Sequence, residues 1–334
     1  MDILIKSFNR PYCLDRCVQS IYANVLDTTI SIKVLDDGTP SRYLEKLQIK
    51  YPKILIYKSS YYDEKSEAID VNQELESLRI PIDLWINAAK DATDYFLLLE
   101  DDFQFTKKIN LEETQKILQE ENIYLLKLIW LNNPKLINGS TIKTKGDITI
   151  YKPDLFVKRP IFHRLIFGTT RYKIRRIMSV FKVYSKDRAL HYYSIYNVAG
   201  AVFKKDYFLT LWNDHENQVD ENLQLRNAVK FLYKNSKIQF ARTTEEYVAT
   251  GFLSSASNKN FAVGNFDVFV FNKILNQAWF VDQFNMNDDT SEVVNLTKIE
   301  GVLSAENNFS ATVQDWNKWV FLFKQQFQKI GCNI

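Results

Sequence analysis

Cysteine, histidine and glycine are all scarce in this 334-residue chain, and each scarcity removes a class of function. Three cysteines (Cys13, Cys17 and Cys332) are too few, and odd in number, for a disulfide framework. One pair four residues apart is not a zinc site either. Cys13 and Cys17 are expected as buried thiols on one helix face, in a reducing compartment. With nine glycines in all, a phosphate-cradling glycine loop is nearly excluded. No Gly-rich activation loop with Arg and Lys follows the first strand, which argues against a nucleotidyltransferase. No apolar run approaches the roughly 18 residues that cross a bilayer. The opening Met1-Asp2-Ile3-Leu4-Ile5-Lys6 runs straight into a strand pattern, without the basic start and apolar stretch of a signal peptide. The expected setting is cytoplasmic, at most against the inner face of the membrane.

What the chain does have is apolar and aromatic material: 46% hydrophobic residues, with six Trp, 18 Tyr and 23 Phe, enough for a large core. The net charge of +3 is too small to imply a nucleic-acid partner. It is unevenly spread, however. From Lys158 to Arg188 ten Lys/Arg face a single acid, Asp187, so this segment carries +9 and the rest of the chain −6. Its basic residues are mixed with Phe162, Leu165, Ile166, Phe167 and Tyr172, a pattern suited to an interfacial helix on an anionic membrane and also to a solvated insertion.

The first 130 residues alternate between strand and helix periods. Ile3–Ile5, Ile30–Leu35, Ile54–Tyr57, Tyr95–Leu99 and Ile123–Trp130 read as strands. Helices are expected from Pro11, over Arg42–Lys50, over Leu84–Ala92 and around Leu111–Gln119. Such alternation predicts an α/β fold with a mostly parallel sheet covered by helices on both faces. Ligands of such sheets bind outside the carboxyl ends of the strands. The loops Ser7–Arg10, Asp36–Pro40 and Glu100–Asp102 would then lie along one edge. Asn138-Gly139 offers a hairpin turn, and Val198–Phe203 reads as a strand followed by helices from Asp206 and from Val219. Two halves are expected, 1–132 and 133–334, the latter holding a basic helical insertion at about 157–188 and a C-terminal extension in which no element is read.

Four motifs carry a family resemblance. They are Ser7-Phe8-Asn9-Arg10-Pro11 with Leu14 and Ser20-Ile21, Val34-Leu35-Asp36-Asp37-Gly38-Thr39, Leu99-Glu100-Asp101-Asp102, and Val219-Asp220-Glu221-Asn222-Leu223-Gln224-Leu225-Arg226. In this order the chain resembles inverting GT-A glycosyltransferases, most closely the family-2-like bacterial group. The second motif looks like that family's "DDGS", the third like its D-x-D in a Glu-initiated form, and the fourth like its "EDxDLxLR" helix start with Val in place of the first Glu. The likeness covers about 60% of the chain, leaving out the basic segment and the C-terminal region.

The resemblance implies roles. Asp102 would be the direct ligand of Mn²⁺ or Mg²⁺, with Glu100 second and Asp101 nearer the ribose. One of Asp36 and Asp37 would receive an N–H of the nucleobase, Asp36 being favoured. Phe8, Asn9 and Arg10 would form the donor loop, with Arg10 on the diphosphate. Asp220, or Glu221 beside it, would be the base that takes the acceptor proton. The chemistry agrees: the departing nucleoside diphosphate gains negative charge, and a hard cation on carboxylates can neutralise it. Each residue also has a plainer explanation, since Asp-Gly is ordinary turn chemistry and acids favour a helix start. The stretch Tyr247–Ser255 looks like the family's C-terminal segment but lacks its His; His163, His191 and His215 match nothing there.

The expectation is therefore transfer of a hexose or N-acetylhexosamine from a UDP- or GDP-sugar to a glycan or lipid-linked glycan acceptor, with inversion, in bacterial surface polysaccharide synthesis. Peripheral contact with an anionic membrane is an added expectation, and no nucleic acid is expected as partner. The alternative is a non-catalytic carbohydrate- or partner-binding protein on the same scaffold.

Overall fold

The computed structural model describes the chain except for residues 72, 74, 76–78, 168–179, 181–184, 216–218, 257–260 and 287–295. Most of the basic segment therefore lies outside the described residues.

The strands β1 (Asp2–Ser7), β2 (Ser31–Asp36), β3 (Leu55–Lys58) and β4 (Tyr95–Glu100) pair in parallel, β1 lying between β2 and β4. The sheet continues through β6 (Ile123–Lys127), β7 (Gly139–Lys145), β8 (Ile148–Pro153), β9 (Ala201–Lys204) and β10 (Gln239–Thr243), in the order β3-β2-β1-β4-β9-β6-β10-β8-β7. Strand β9 runs antiparallel between β4 and β6, and β8 runs antiparallel to β10 and β7; the others share one direction. The fold is thus α/β with a mixed, mostly parallel sheet. Strands from both sides of residue 132 belong to this one sheet, with β9 lying between β4 and β6. A small ribbon pairs β5 (Phe103–Phe105) with β11 (Val248–Thr250).

Both sheet faces are buried, which explains the continuous apolar runs. On one face Ile3, Ile5, Leu97 and Leu99 meet helices α1 (Pro11–Asn24), α2 (Ser41–Lys50), α10 (Val268–Phe280), α11 (Leu296–Glu306) and α12 (Val313–Gln328). On the other, Leu4, Phe96 and Leu98 meet α4 (Ile82–Asp91), α8 (Lys205–Leu211) and α9 (Glu221–Lys234). The remaining helices are α3 (Tyr62–Asp70), α5 (Leu111–Glu120), α6 (Pro160–Phe167) and α7 (Lys186–Leu190).

Three differences from expectation have physical causes. Asn138-Gly139 starts strand β7 and makes no turn; the β7–β8 hairpin reverses at Gly146, whose φ of 52° suits glycine. Helix α3 is acidic and weakly periodic, so its sequence pattern is faint. Among the described residues the Asn- and Phe-rich C-terminal region forms three helices; Trp279 is buried against α1, its ring N–H donating to Asp15, and Trp316 and Trp319 are buried among Phe261, Phe266 and Phe271.

Candidate active site at the carboxyl edge of the sheet

Three strand ends converge. The loop after β1, the turn after β2 and the acids after β4 line one cavity of about 310 Å³, bounded by Phe8, Arg10, Asp37, Glu100, Asp101 and Asp102. Lys6, Lys65, Arg79, Trp85 and Ser254 are also among its lining residues.

Asp36, the residue favoured for the nucleobase, is tied into its own turn. Its carboxylate accepts the backbone N–H of Gly38 (3.0 Å) and Thr39 (2.8 Å) and the Thr39 hydroxyl (2.7 Å), and it is fully buried. It closes its own turn and does not line the cavity. Asp37 does. Its two oxygens accept Ser59 Oγ (2.6 Å) and Lys65 Nζ (2.5 Å). Burial raises the Asp37 carboxyl despite Lys65 and Ser59. Gly38 between this turn and α3 has φ 135°, and a Cβ there would come within 2.6 Å of Lys65 Cβ, so only glycine lets α3 approach.

Arg10 lies at the cavity floor, ion-paired with Asp101 and 3.3 Å from both Asp102 Oδ2 and the Ser254 carbonyl oxygen. Burial disfavours its charge, but Asp101 and Asp102 outweigh that and hold the guanidinium protonated. Burial raises the carboxyls of Asp101 and Asp102, and Arg10 opposes the rise in both. Asp101 is 1% exposed and also accepts the Phe8 N–H at 3.2 Å, so it positions the loop from beneath. Asn9 is likewise buried. Its N–H donates to Thr39 Oγ1 (2.9 Å), and its carbonyl and side-chain oxygens accept from Asn276 Nδ2 (3.1 and 2.9 Å). Asn9 therefore shapes the β1–α1 loop from inside.

Glu100 is held at 2.9 Å by Lys6 Nζ, which also stands 4.9 Å over the Trp85 ring. Burial pushes the Glu100 carboxyl up, and Lys6 more than reverses it. One Glu100 oxygen is thus committed to Lys6. Among the described residues no group of three or more His, Cys, Asp or Glu is arranged to hold a metal. Asp102 differs from its neighbours: its Oδ1 is buried without a hydrogen-bond partner. A hard, unsatisfied carboxylate oxygen beside an open cavity fits Mg²⁺ or Mn²⁺, provided the ligand and water supply most of the shell.

Neither expected base lines this cavity. Asp220 is exposed and caps α9, accepting the Leu223 N–H at 3.1 Å. Glu221 is exposed and accepts the Tyr193 hydroxyl at 2.6 Å. Tyr196 is buried and its hydroxyl donates to Gln224 Oε1 on α9; burial, with the charges of Glu221 and Glu100, raises its phenol.

The sequence pattern did not reveal Lys65, Arg79, Trp85, Asn272 or Asn276. Ser254 was signalled only by the likeness of Tyr247–Ser255. Tyr12 joins that segment to α10: its hydroxyl lies 3.1 Å from Ser254 Oγ and donates to Asn272 Oδ1 at 2.9 Å.

No protein-family model matches the chain, and no curated protein matches it by sequence. Among solved structures it is similar to the galactosyltransferase LgtC in complex with donor and acceptor sugar analogues, at 12% identity over 75% of this chain and 86% of that one (TM-score 0.36). It is similar to S. aureus TarS 1–349 in complex with UDP-GlcNAc, at 10% identity over 98% and 92% of the two chains (TM-score 0.43). It is also similar to the mannosyltransferase PcManGT from Pyrobaculum calidifontis in complex with GDP-Man and Mn²⁺, at 11% identity over 46% and 44% (TM-score 0.30). These are distant likenesses of chain path, and none assigns a residue here.

Proposed function

We propose that this chain is an enzyme, a glycosyltransferase that moves a hexose or N-acetylhexosamine from a UDP- or GDP-sugar to a glycan or lipid-linked glycan acceptor with inversion. The observation that carries this reading is the convergence of Arg10, Asp37 and Glu100–Asp102 from three strand ends on one cavity. These are the positions at which the sequence resembles the nucleotide-sugar enzymes.

Asp37 receives the nucleobase edge, its charge balanced by Lys65. Arg10 and Lys65 face the diphosphate, where a planar guanidinium can hold two phosphate oxygens. Asp102 Oδ1 holds the divalent cation, which when bound supplies neutralising charge to the departing diphosphate. Asp101 keeps Arg10 and the Phe8 backbone in place. Glu100, steadied by Lys6, accepts from a ribose or sugar hydroxyl. Asp220 or Glu221 takes the acceptor proton as the hydroxyl attacks the anomeric carbon opposite the leaving group.

The cap made by Asp220 and the absence of both acids from the cavity lining favour a second reading, a carbohydrate-binding protein that retains the donor cleft without turnover. Calorimetric titration with UDP and GDP, each with and without Mn²⁺, followed by donor-sugar hydrolysis assays, separates the two. Binding with hydrolysis supports the transferase, binding without any turnover supports the second reading, and no nucleotide binding sinks both.

A further inference from the structure

Helix α6 has two unlike faces. Inward, His163 and Ile166 are buried, and the His163 ring lies 4.7 Å from Phe167 and 4.8 Å from Tyr192, centroid to centroid. Outward, Ile161 is 66% and Phe162 48% exposed. Lys158, Arg159 and Arg164 are exposed around them, and among the described residues none of the three joins an ion pair with an acid. Two large apolar side chains in water beside three uncommitted cations need an explanation. A solvated face accounts for the cations but not for Ile161 and Phe162. An apolar protein partner accounts for those two and strands the cations. An anionic lipid surface satisfies both, because its headgroups attract Lys and Arg while the acyl boundary takes up the apolar side chains.

The place of this face in the fold agrees. Helix α6 packs against α9, and His163 lies near enough to Arg226 to feel its charge. Arg226 is five positions along α9 from Glu221, about 7–8 Å of helix. We propose that the Lys158–Arg164 face docks on an anionic lipid bilayer. Where the transferase reading holds, on which this consequence alone rests, docking brings the acceptor end of the site toward a membrane-borne acceptor.

The test is sedimentation of the full chain with phosphatidylcholine vesicles, with or without phosphatidylglycerol, at low and high salt. Pelleting is expected only with the anionic vesicles and mainly at low salt. The exposed pair Ile161→Ser/Phe162→Ser should leave the melting temperature unchanged and weaken vesicle binding about tenfold or more. Each of Lys158→Gln, Arg159→Gln and Arg164→Gln should weaken it about fivefold. No pelleting at low salt, or equal pelleting with both vesicle types, overturns the proposal. So does loss in the charge variants without loss in the apolar pair, because the contact would then be charge attraction alone, with Ile161 and Phe162 outside the lipid. Titration of the same protein with UDP and GDP keeps the two readings apart. Vesicle binding without nucleotide binding sinks the transferase alone, and the reverse sinks docking alone.

Discussion

Asn276 on helix α10 donates its side-chain amide to both the carbonyl and the side-chain oxygen of Asn9, at 3.1 and 2.9 Å, across 267 residues of sequence. Asn9 has φ 51°, in the left-handed region that Asn tolerates better than most residues. Helix α10 therefore holds the β1–α1 loop in its bend from a residue that does not line the cavity.

Asn276→Ala removes both bonds and leaves buried acceptors on Asn9. It should lower stability by about 1–3 kcal/mol and weaken nucleoside diphosphate binding several-fold. Denaturant unfolding and calorimetric titration read the two effects. Full nucleotide affinity in a destabilised variant would limit α10 to a packing role.

Asp102→Asn tests the metal anchor. Removing the charge of the carboxylate whose Oδ1 has no hydrogen-bond partner should abolish the Mn²⁺-dependent part of UDP or GDP binding and leave a weaker, metal-independent part that rests on Arg10 and Lys65. Titration with and without Mn²⁺ measures both. If the affinity gained from Mn²⁺ survives, the cation is held elsewhere.

Asp220→Asn isolates charge from capping, because Asn caps a helix about as well as Asp. Stability should hardly change. If Asp220 is the base, turnover falls by roughly two to four orders of magnitude with donor affinity kept. Glu221→Gln is the matched variant. Whichever substitution removes turnover names the base, and full activity in both would remove α9 from the chemistry.

His163 provides a pH test. Burial lowers its pKa to about 4, and the nearby Arg226 adds to this. Between the ordinary value near 6.5 and about 4 the unfolded chain binds the proton and the folded chain does not. The contribution of neutral His163 is thus complete above pH 6.5 and is lost as pH falls through that window. His163→Phe keeps a ring between Phe167 and Tyr192 and has nothing to titrate. Its melting temperature should fall less than that of wild type between pH 6.5 and pH 4. Parallel curves would mean that His163 ionises without cost.

Much of the fold was legible because its signals are local. Ile3–Ile5 and Tyr95–Leu99 are short apolar runs closed by polar loops, and only strands buried on both faces ask for that pattern. The gathering of Ser7–Arg10, Asp37 and Glu100–Asp102 followed from parallel alternation alone, since parallel strands bring their carboxyl ends to one edge. Helix α3 was not legible: its face toward the turn is little more than Tyr62 and Lys65, and that contact depends on Gly38.

The sequence by itself determined which residue types stand at each strand end, because strand and helix periods are properties of neighbouring residues. Only the tertiary structure decided what each of those residues does. Asp36 and Asp37 are adjacent and chemically identical, yet one closes a turn and the other faces the cavity, depending on where Thr39 and Lys65 come to rest. Glu100, Asp101 and Asp102 form one acidic run, yet Lys6 takes the first, Arg10 is paired with the second, and an oxygen of the third is left open. A carboxylate's role is set by the cations and N–H groups within about 3 Å of it, and those partners come from other parts of the chain.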